Sequence, residues 1–163
     1  MIMGIKILLT GGTIDKNYNE SNGELDFNET HIPELLELGR NRTEVEIEQA
    51  MFIDSLEMTD TNRQKILKIC KASKQNRILI THGTDTLVET AMLLGHEKIA
   101  KTIVLVGAMI PYVFKHTDAV FNMGFAFGVV QALPHGVYVA MNGMIFNYDQ
   151  VMKNKKKGIF EAL

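Results

Sequence analysis

The sequence contains few of the residues that cross-link small proteins. Of its 163 residues only Cys70 is a cysteine, so no internal disulfide can form. A single cysteine is typical of proteins in a reducing compartment, and we expect this protein to be cytoplasmic. Cys70 follows Ile66, Leu67 and Ile69. It is therefore predicted to be a small buried hydrophobe rather than a nucleophile.

Long apolar runs, an excess of one charge and metal-ligand spacings are also missing. No run approaches the ~20 apolar residues of a spanning helix, and the amino terminus lacks the pattern of a signal peptide. The formal net charge is −2 with dispersed lysines and arginines, so neither nucleic acid nor a membrane is an expected partner. The histidines follow no ligand pattern, and we expect no metal and no cofactor. They are His31, His82, His96, His116 and His135.

What the sequence does contain is a regular alternation of strand and helix patterns. Strands are predicted over residues 5–9, 45–53, 78–80, 102–106 and 136–141, the last followed by an Asn142-Gly143 hairpin turn. Helices are predicted over 30–38, 60–73, 85–94 and 117–131, with capping boxes at Thr61–Gln64 and Thr86–Glu89. The alternation predicts a doubly wound, mostly parallel α/β sheet, Rossmann- or flavodoxin-like, with helices on both faces and right-handed crossovers. We expect one domain over residues 1–163.

Four of the predicted strands end in small or polar residues. These corners are Thr10-Gly11-Gly12-Thr13, Asp54-Ser55, Thr81-His82-Gly83-Thr84-Asp85 and Gly107-Ala108. Because the carboxyl ends of parallel strands share one edge of a sheet, we expect the four corners to converge on a ligand site. Adjacent glycines do not match the dinucleotide pattern of spaced glycines, so nucleotide binding is disfavoured. Thr84 or Asp85 could instead only cap a helix.

The residue types at these corners suit amide hydrolysis better than other chemistry. A threonine hydroxyl is a nucleophile once a base activates it, and a lysine desolvated near a carboxylate can be that base. Ser55 and Asp85 could hold the carboxylate and ammonium ends of an amino acid. The polar segment 15–24, predicted to be a loop, could cover the site and carry Tyr18 inward, although Tyr18 could equally be a surface residue.

These motifs resemble those of the bacterial-type L-asparaginase family in order and approximate spacing, over nearly the whole chain. The matching segments are Thr10–Ile14, Asp54-Ser55, Thr81–Thr86, Val106–Met109 and Val151–Lys153. Asp15-Lys16-Asn17-Tyr18 and the stretch from Lys153 to Glu161 resemble a short, single-domain branch of that family. The chain is therefore expected to lack the carboxyl-terminal domain of longer relatives. The fold implied is that of their amino-terminal domain.

The resemblance implies hydrolysis of L-asparagine to L-aspartate and ammonia through a threonine acyl-enzyme, with L-glutamine as a weak second substrate. Thr13 would be the nucleophile, Tyr18 would cover it, and Thr84, Asp85 and Lys153 would form a second catalytic cluster. The implied substrate-binding residues are Gly12, Asp54, Ser55, Gly83, Thr84, Asp85 and Ala108. Ile110 and Met152 replace residues usual in relatives, which leaves substrate preference and local packing open. Lys153 could otherwise be a solvated lysine like Lys155, Lys156 and Lys157.

Two other function classes would use a similar set of residues. One is a non-catalytic amino-acid-binding or sensor domain, and the other is the ammonia-releasing subunit of a tRNA-dependent amidotransferase. The helix predicted over 117–131 carries more apolar residues than one sheet-facing stripe needs, and Gly124 and Gly128 lie one turn apart. We expect a homodimer or a dimer of dimers through this helix, unless the helix is buried within one subunit.

Overall fold

The computed structural model describes residues 4–163. In chain order the strands are β1 (Ile5–Leu9), β2 (Lys16–Asn19), β3 (Glu24–Phe27), β4 (Val45–Gln49), β5 (Arg77–Thr81), β6 (Thr102–Val106), β7 (Gly136–Met141), β8 (Met144–Asn147), β9 (Val151–Asn154) and β10 (Ile159–Ala162). The helices are α1 (Ile32–Leu38), α2 (Asp60–Ala72), α3 (Leu87–His96) and α4 (Ala119–Ala132). Within these residues, no helix has the length and apolar character needed to cross a membrane.

The central sheet is mostly parallel, which confirms the predicted fold class. Its strand order is β4-β1-β5-β6-β7-β8, and only β8 runs antiparallel to its neighbour. Every residue of β1 and β6 is buried because helices cover both faces, which explains their continuous apolar sequences. The order of the five parallel strands is that of flavodoxin-like proteins, in which ligands bind where the strand order reverses. Here that reversal lies between β1 and β5.

The helices cover the two faces of the sheet in pairs. α2 packs against α3, and α3 and α4 both pack on β6 and β7. α4 shares a surface groove with α1, so α1 and α4 lie on one face and α2 and α3 on the other. β5, β6 and β7 follow one another in one direction across the sheet, while α3 and α4, which connect them, lie on opposite faces. The two connections are therefore crossovers of opposite hand. With α1, α2 and α3 following the right-handed rule, α4 makes a left-handed crossover, and the prediction of uniform hand was wrong.

Several element boundaries differ from the predicted ones. β4 ends at Gln49 because the residues after it no longer pair regularly with β1. They form isolated hydrogen bonds to the end of β1 instead, such as the one that the Ile53 N–H donates to Thr10 O at 3.2 Å. The capping box of α2 is Thr59–Asn62, two residues earlier than predicted. Thr86 does precede α3, but its hydroxyl donates to Ser55 O at 2.8 Å instead of capping the helix.

Among residues 4–163 there are three short hairpins, one at the edge of the central sheet and two outside it, and the sequence indicated only the first. The turn Asn142-Gly143 joins β7 to β8 as predicted, and both residues have positive φ, 56° and 73°. The segment predicted to be a loop, 15–24, instead starts at the last residue of a 3-10 turn, Thr13–Asp15, and contains the first strand of the β2–β3 hairpin. The carboxyl-terminal stretch forms a second hairpin, β9–β10. Cys70 is buried as predicted, and burial raises its pKa to about 12.

Candidate active site

Three of the predicted corners are locked together by contacts that only glycine permits. Gly12 has φ of 94°, and a Cβ on it would stand 2.5 Å from the backbone nitrogen of Gly83. A Cβ on Gly83 would in turn stand 2.5 Å from the side-chain oxygen of Ser55. Since real Cβ atoms do not approach other atoms so closely, any other residue at position 12 or 83 would push these segments of the chain apart. The segments that follow β1, β4 and β5 are therefore packed directly against one another at the sheet edge.

Thr13 opens the 3-10 turn Thr13–Asp15 directly after Gly12, and it is only half-buried. The turn is held from behind by Asp15, whose buried carboxylate accepts bonds from the His31 backbone N–H at 2.8 Å and the Thr30 hydroxyl at 3.2 Å. Burial raises the pKa of Asp15, although these hydrogen bonds oppose the rise. The turn that carries Thr13 is thus anchored to the beginning of α1 by Asp15.

A cation from the end of the chain lies beside the β5 corner. The Lys153 ammonium donates to Thr84 Oγ1 at 2.7 Å and to Asp85 Oδ1 at 2.8 Å. Only 10% of the Lys153 side chain is exposed, whereas Lys155, Lys156 and Lys157 are exposed in the β9–β10 turn. Lys153 is therefore distinct from the neighbouring lysines, and Thr84 and Asp85 do not act as side-chain caps of α3.

Asp54 has protein partners on its carboxylate. Lys16 of β2 forms an ion pair with it, and the Leu56 backbone N–H donates to its other oxygen at 3.0 Å. The hydrogen bond from Lys16 is the main cause that lowers the pKa of Asp54. Ser55 is buried next to it, against Gly83. The corner after β4 is thus fastened to the β2–β3 hairpin by an ion pair that the sequence did not indicate.

Tyr18 and Ala108 differ in how far they are exposed to solvent. Tyr18 lies in β2 opposite Leu25, and 57% of its surface is exposed, so the structure does not bring it into the buried cluster. Ala108 is fully buried after β6. The backbone N–H groups of the next residues, Met109 and Ile110, donate to the Asp118 carboxylate at 2.9 to 3.0 Å. The loop after Ala108 is thereby held to the start of α4.

His82 is a buried support of the β5 corner and not a base. Its Nδ1 lies 2.8 Å from Gly83 O, which can only accept, so Nδ1 carries the proton. Its Nε2 then accepts from the Thr90 hydroxyl at 2.7 Å. Burial lowers the pKa of His82 to about 4, so the ring is neutral at pH 7. Among residues 4–163 no cluster of histidine, cysteine and carboxylate side chains is arranged to hold a metal ion.

Sequence reasoning missed three polar residues behind the site. They are Lys16, which pairs with Asp54, Asp118, which holds the loop after Ala108, and Asn122, which donates to Gly107 O at 3.1 Å and to Asp118 at 2.9 Å. Asn122 carried a usable signal because it is a polar residue within the apolar run of α4. Lys16 pairs with a side chain 38 positions away, and the loop that Asp118 holds is bound through its backbone N–H groups, so no local pattern reveals either role.

The arrangement offers the groups that amide hydrolysis needs. Thr13 supplies a hydroxyl, and the residue before it, Gly12, is packed against the backbone of Gly83. The Lys153 ammonium holds Thr84 and Asp85 in one hydrogen-bonded chain, and such a chain can move a proton or orient a water molecule. A carboxylate partly open to solvent, Asp85, is available for a cationic group of a substrate.

Comparison with known proteins gives one consistent picture. Residues 4–160 match the family model described as Asparaginase, N-terminal. The chain is 34% identical to a protein of Haemophilus influenzae named "Probable L-asparaginase periplasmic", over 95% of this chain and 47% of that protein. The chain thus spans about half the length of the curated relatives it matches.

Solved structures agree on the fold. The thermostable L-asparaginase from Thermococcus kodakarensis superposes with a TM-score of 0.89 at 27% identity, covering 99% of this chain and 51% of the other. A probable cytoplasmic L-asparaginase from Campylobacter jejuni gives 0.81 at 32% identity, covering 98% of this chain and 53% of the other. The described residues therefore correspond to about one half of each of these two proteins.

Proposed function

Because the chain belongs to the asparaginase family, we propose that it hydrolyses L-asparagine to L-aspartate and ammonia, with L-glutamine as a weaker substrate. The observation that carries the proposal is the contact of the Lys153 ammonium with Thr84 and Asp85 beside the locked corners of Gly12 and Gly83. A domain that only bound an amino acid would need the pocket but not a shielded lysine on a threonine hydroxyl.

The reaction proceeds in two steps through an ester of Thr13. The Thr13 oxygen bonds to the side-chain carbonyl carbon, and its proton passes to the departing nitrogen, which leaves as ammonia. Water then attacks the ester carbonyl, releasing aspartate and returning a proton to Thr13. The Lys153–Thr84–Asp85 chain polarises the reacting hydroxyl or orients the water molecule. The backbone at Thr13, Thr84 and Ala108 supports the carbonyl oxygen as it becomes charged.

Substrate recognition in this proposal uses the two ends of the amino acid. Ser55, Asp54 and Asp85 hold the α-carboxylate and α-ammonium groups. Asp54 already forms an ion pair with Lys16. The pair therefore places both a negative and a positive charge near the substrate. Tyr18 stands on a hairpin whose ion pair reaches the site, and a movement of that hairpin would bring the phenol over Thr13.

The same proposal includes a homodimer, or a dimer of dimers, through α4. Gly124 and Gly128 are exposed on this helix, and a Cβ placed on either one would meet no atom within 4 Å apart from the neighbouring backbone of the helix itself. Each costs about 0.5–1 kcal/mol in a helix interior without serving packing inside the subunit. α4 carries no ionisable residue, yet its outer face presents Phe121 with 64% of its surface exposed. A helix that is apolar all round is normally covered.

The occupant we propose for this face is a second copy of the chain. Phe121 protrudes one turn away from Gly124, which lines the groove between α1 and α4. A two-fold axis at the glycines would place the Phe121 ring of each copy in the α1–α4 groove of the other. The same surface would then supply both the protruding ring and the groove that receives it. Gly124→Leu should weaken association at least ~10-fold. Gln64→Leu adds a similar side chain at an exposed position of α2, on the opposite face of the sheet, and should leave association unchanged. Light scattering through a dilution series measures both; a wild-type monomer at assay concentration would refute the dimer.

An ammonia-release assay on the purified chain tests the activity. L-asparagine, L-glutamine and D-asparagine serve as substrates, and L-asparagine is expected to be turned over fastest. Binding of L-asparagine without ammonia release would favour a sensor domain. Activity that appears only with an added partner would favour an amidotransferase subunit. The unpaired, buried Cys70 supports a reducing, cytoplasmic location within the same proposal.

A further inference from the structure

The hairpin that delivers Lys153 is not part of the central sheet. Within residues 4–163, β9 and β10 form a separate two-stranded sheet, and Lys153 faces Phe160 across the pair. Val151 and Phe160 are buried, which attaches the hairpin to the core by non-directional contacts. Apolar contacts alone tolerate small shifts, whereas two hydrogen bonds from the Lys153 ammonium require a fixed position. A directional tie is therefore needed to set the position of this strand.

Asn142 supplies such a tie. Its side-chain oxygen accepts from the Phe160 backbone N–H at 2.8 Å. Phe160 is the residue directly opposite Lys153, so this bond acts on the strand pair at the level of the ammonium-bearing residue. Asn142 lies in the β7–β8 turn with φ of 56°, a conformation that asparagine, aspartate and glycine tolerate better than other residues.

The other side of Asn142 is fixed as well. Its backbone N–H donates to the side-chain oxygen of Asn122 at 3.2 Å, and the amide nitrogen of Asn122 donates to Gly107 O at 3.1 Å. Asn122 is buried on the inner face of α4. One hydrogen-bonded path therefore joins the corner after β6 to the strand pair that carries Lys153. Buried, directional paths of this kind specify position more sharply than apolar packing does.

We propose that Asn142 is a positioning residue for Lys153. Through its bond to Asn122, Asn142 holds the Lys153 ammonium in a fixed position relative to the corner after β6. The proposal rests on the proposed hydrolase function. The hydrogen bonds of Asn142 go to Asn122 and Phe160 and not to Thr84 or Asp85, so its effect on the reaction passes through the placement of Lys153. A displacement of about 1 Å in such a group can cost up to ~10²-fold in rate.

The test compares Asn142→Gly with Asn142→Asp. Glycine keeps the positive φ and removes the acceptor of the Phe160 N–H, whereas aspartate keeps both. We expect Asn142→Gly to lower kcat ~10- to 100-fold with KM unchanged, and Asn142→Asp to stay near the wild type. Asn147→Gly makes the same deletion at the exposed far end of β8 and should have no effect on kcat. A fall in KM and kcat together, or equal losses in the glycine and aspartate variants, would overturn the proposal.

A double-mutant cycle with Lys153→Met separates positioning from general stability. If Asn142 acts through Lys153, Asn142→Gly should cost nothing further in kcat once the ammonium is gone. Losses that multiply in the double variant would show a role unrelated to Lys153. Hydrogen exchange of the Phe160 amide gives a readout without activity: protection should fall in Asn142→Gly and persist in Asn142→Asp. An inactive wild type would refute the hydrolase function, whereas unchanged Phe160 exchange would refute the tie itself.

Discussion

Removing the Lys153 ammonium should separate a catalytic role from a structural one. Lys153→Met keeps the length of the side chain and its apolar stem, but it removes two hydrogen bonds of 2.7 and 2.8 Å. The Asp85 side chain is 34% exposed, so water can replace its lost partner. We therefore expect the free energy of unfolding to fall by about 1 kcal/mol or less. The rate should fall ~10²- to 10⁴-fold, as when a positioned proton-transfer group is lost.

The assay measures ammonia release from L-asparagine at saturating and limiting concentrations, together with urea unfolding of the same preparations. Lys155→Met is the matched control because Lys155 is exposed in the neighbouring turn and makes no ion pair in the part of the chain that the structure describes. It should change neither quantity. Equal, mild losses in both variants, or a Lys153→Met enzyme with near-normal kcat, would refute the reasoning.

Three further outcomes are expected. Thr13→Ala should lower kcat/KM by at least ~10³-fold while urea unfolding changes little, and near-normal turnover would remove Thr13 as the nucleophile. His82 has a folded-state pKa of about 4 against an ordinary 6.5, so the unfolded chain binds more protons between these values and stability should fall as pH drops from 6.5 towards 4. The loss is roughly 3 kcal/mol at most, and His82→Gln should flatten the pH dependence of urea unfolding. Lys16→Met should raise the pKa of Asp54 in an NMR titration, and no rise would show that their ion pair is absent in solution.

The sequence predicted the sheet because its signals there were strong and local. The apolar run of β6 is typical of a strand covered on both faces, and the small and polar residues after β1 and β5 indicated where those two strands end. The Asn142-Gly143 turn was predicted for the same reason, since few other pairs allow two successive positive φ angles.

What the sequence did not predict depends on contacts between distant residues. The hand of the α4 crossover is decided by which face the helix covers, and an all-apolar helix gives no preference. β2 is polar and exposed at Tyr18, so no alternation revealed it as a strand. The ion pair between Lys16 and Asp54 joins residues 38 positions apart. Resemblance, and not spacing, was needed to single out Lys153 from the lysines beside it.

The hairpin of Lys153 also has a consequence for the order in which the protein becomes active during synthesis. Lys153 lies 68 positions after Asp85, so a ribosome adding ~5–20 residues per second makes the carboxylate roughly 3–14 s before its ammonium partner. During that interval a nascent chain already carries Thr13, Thr84 and Asp85 but lacks the group that connects them. The proposed activity would therefore switch on only when the ribosome has passed β9, whatever portion of the sheet has already folded.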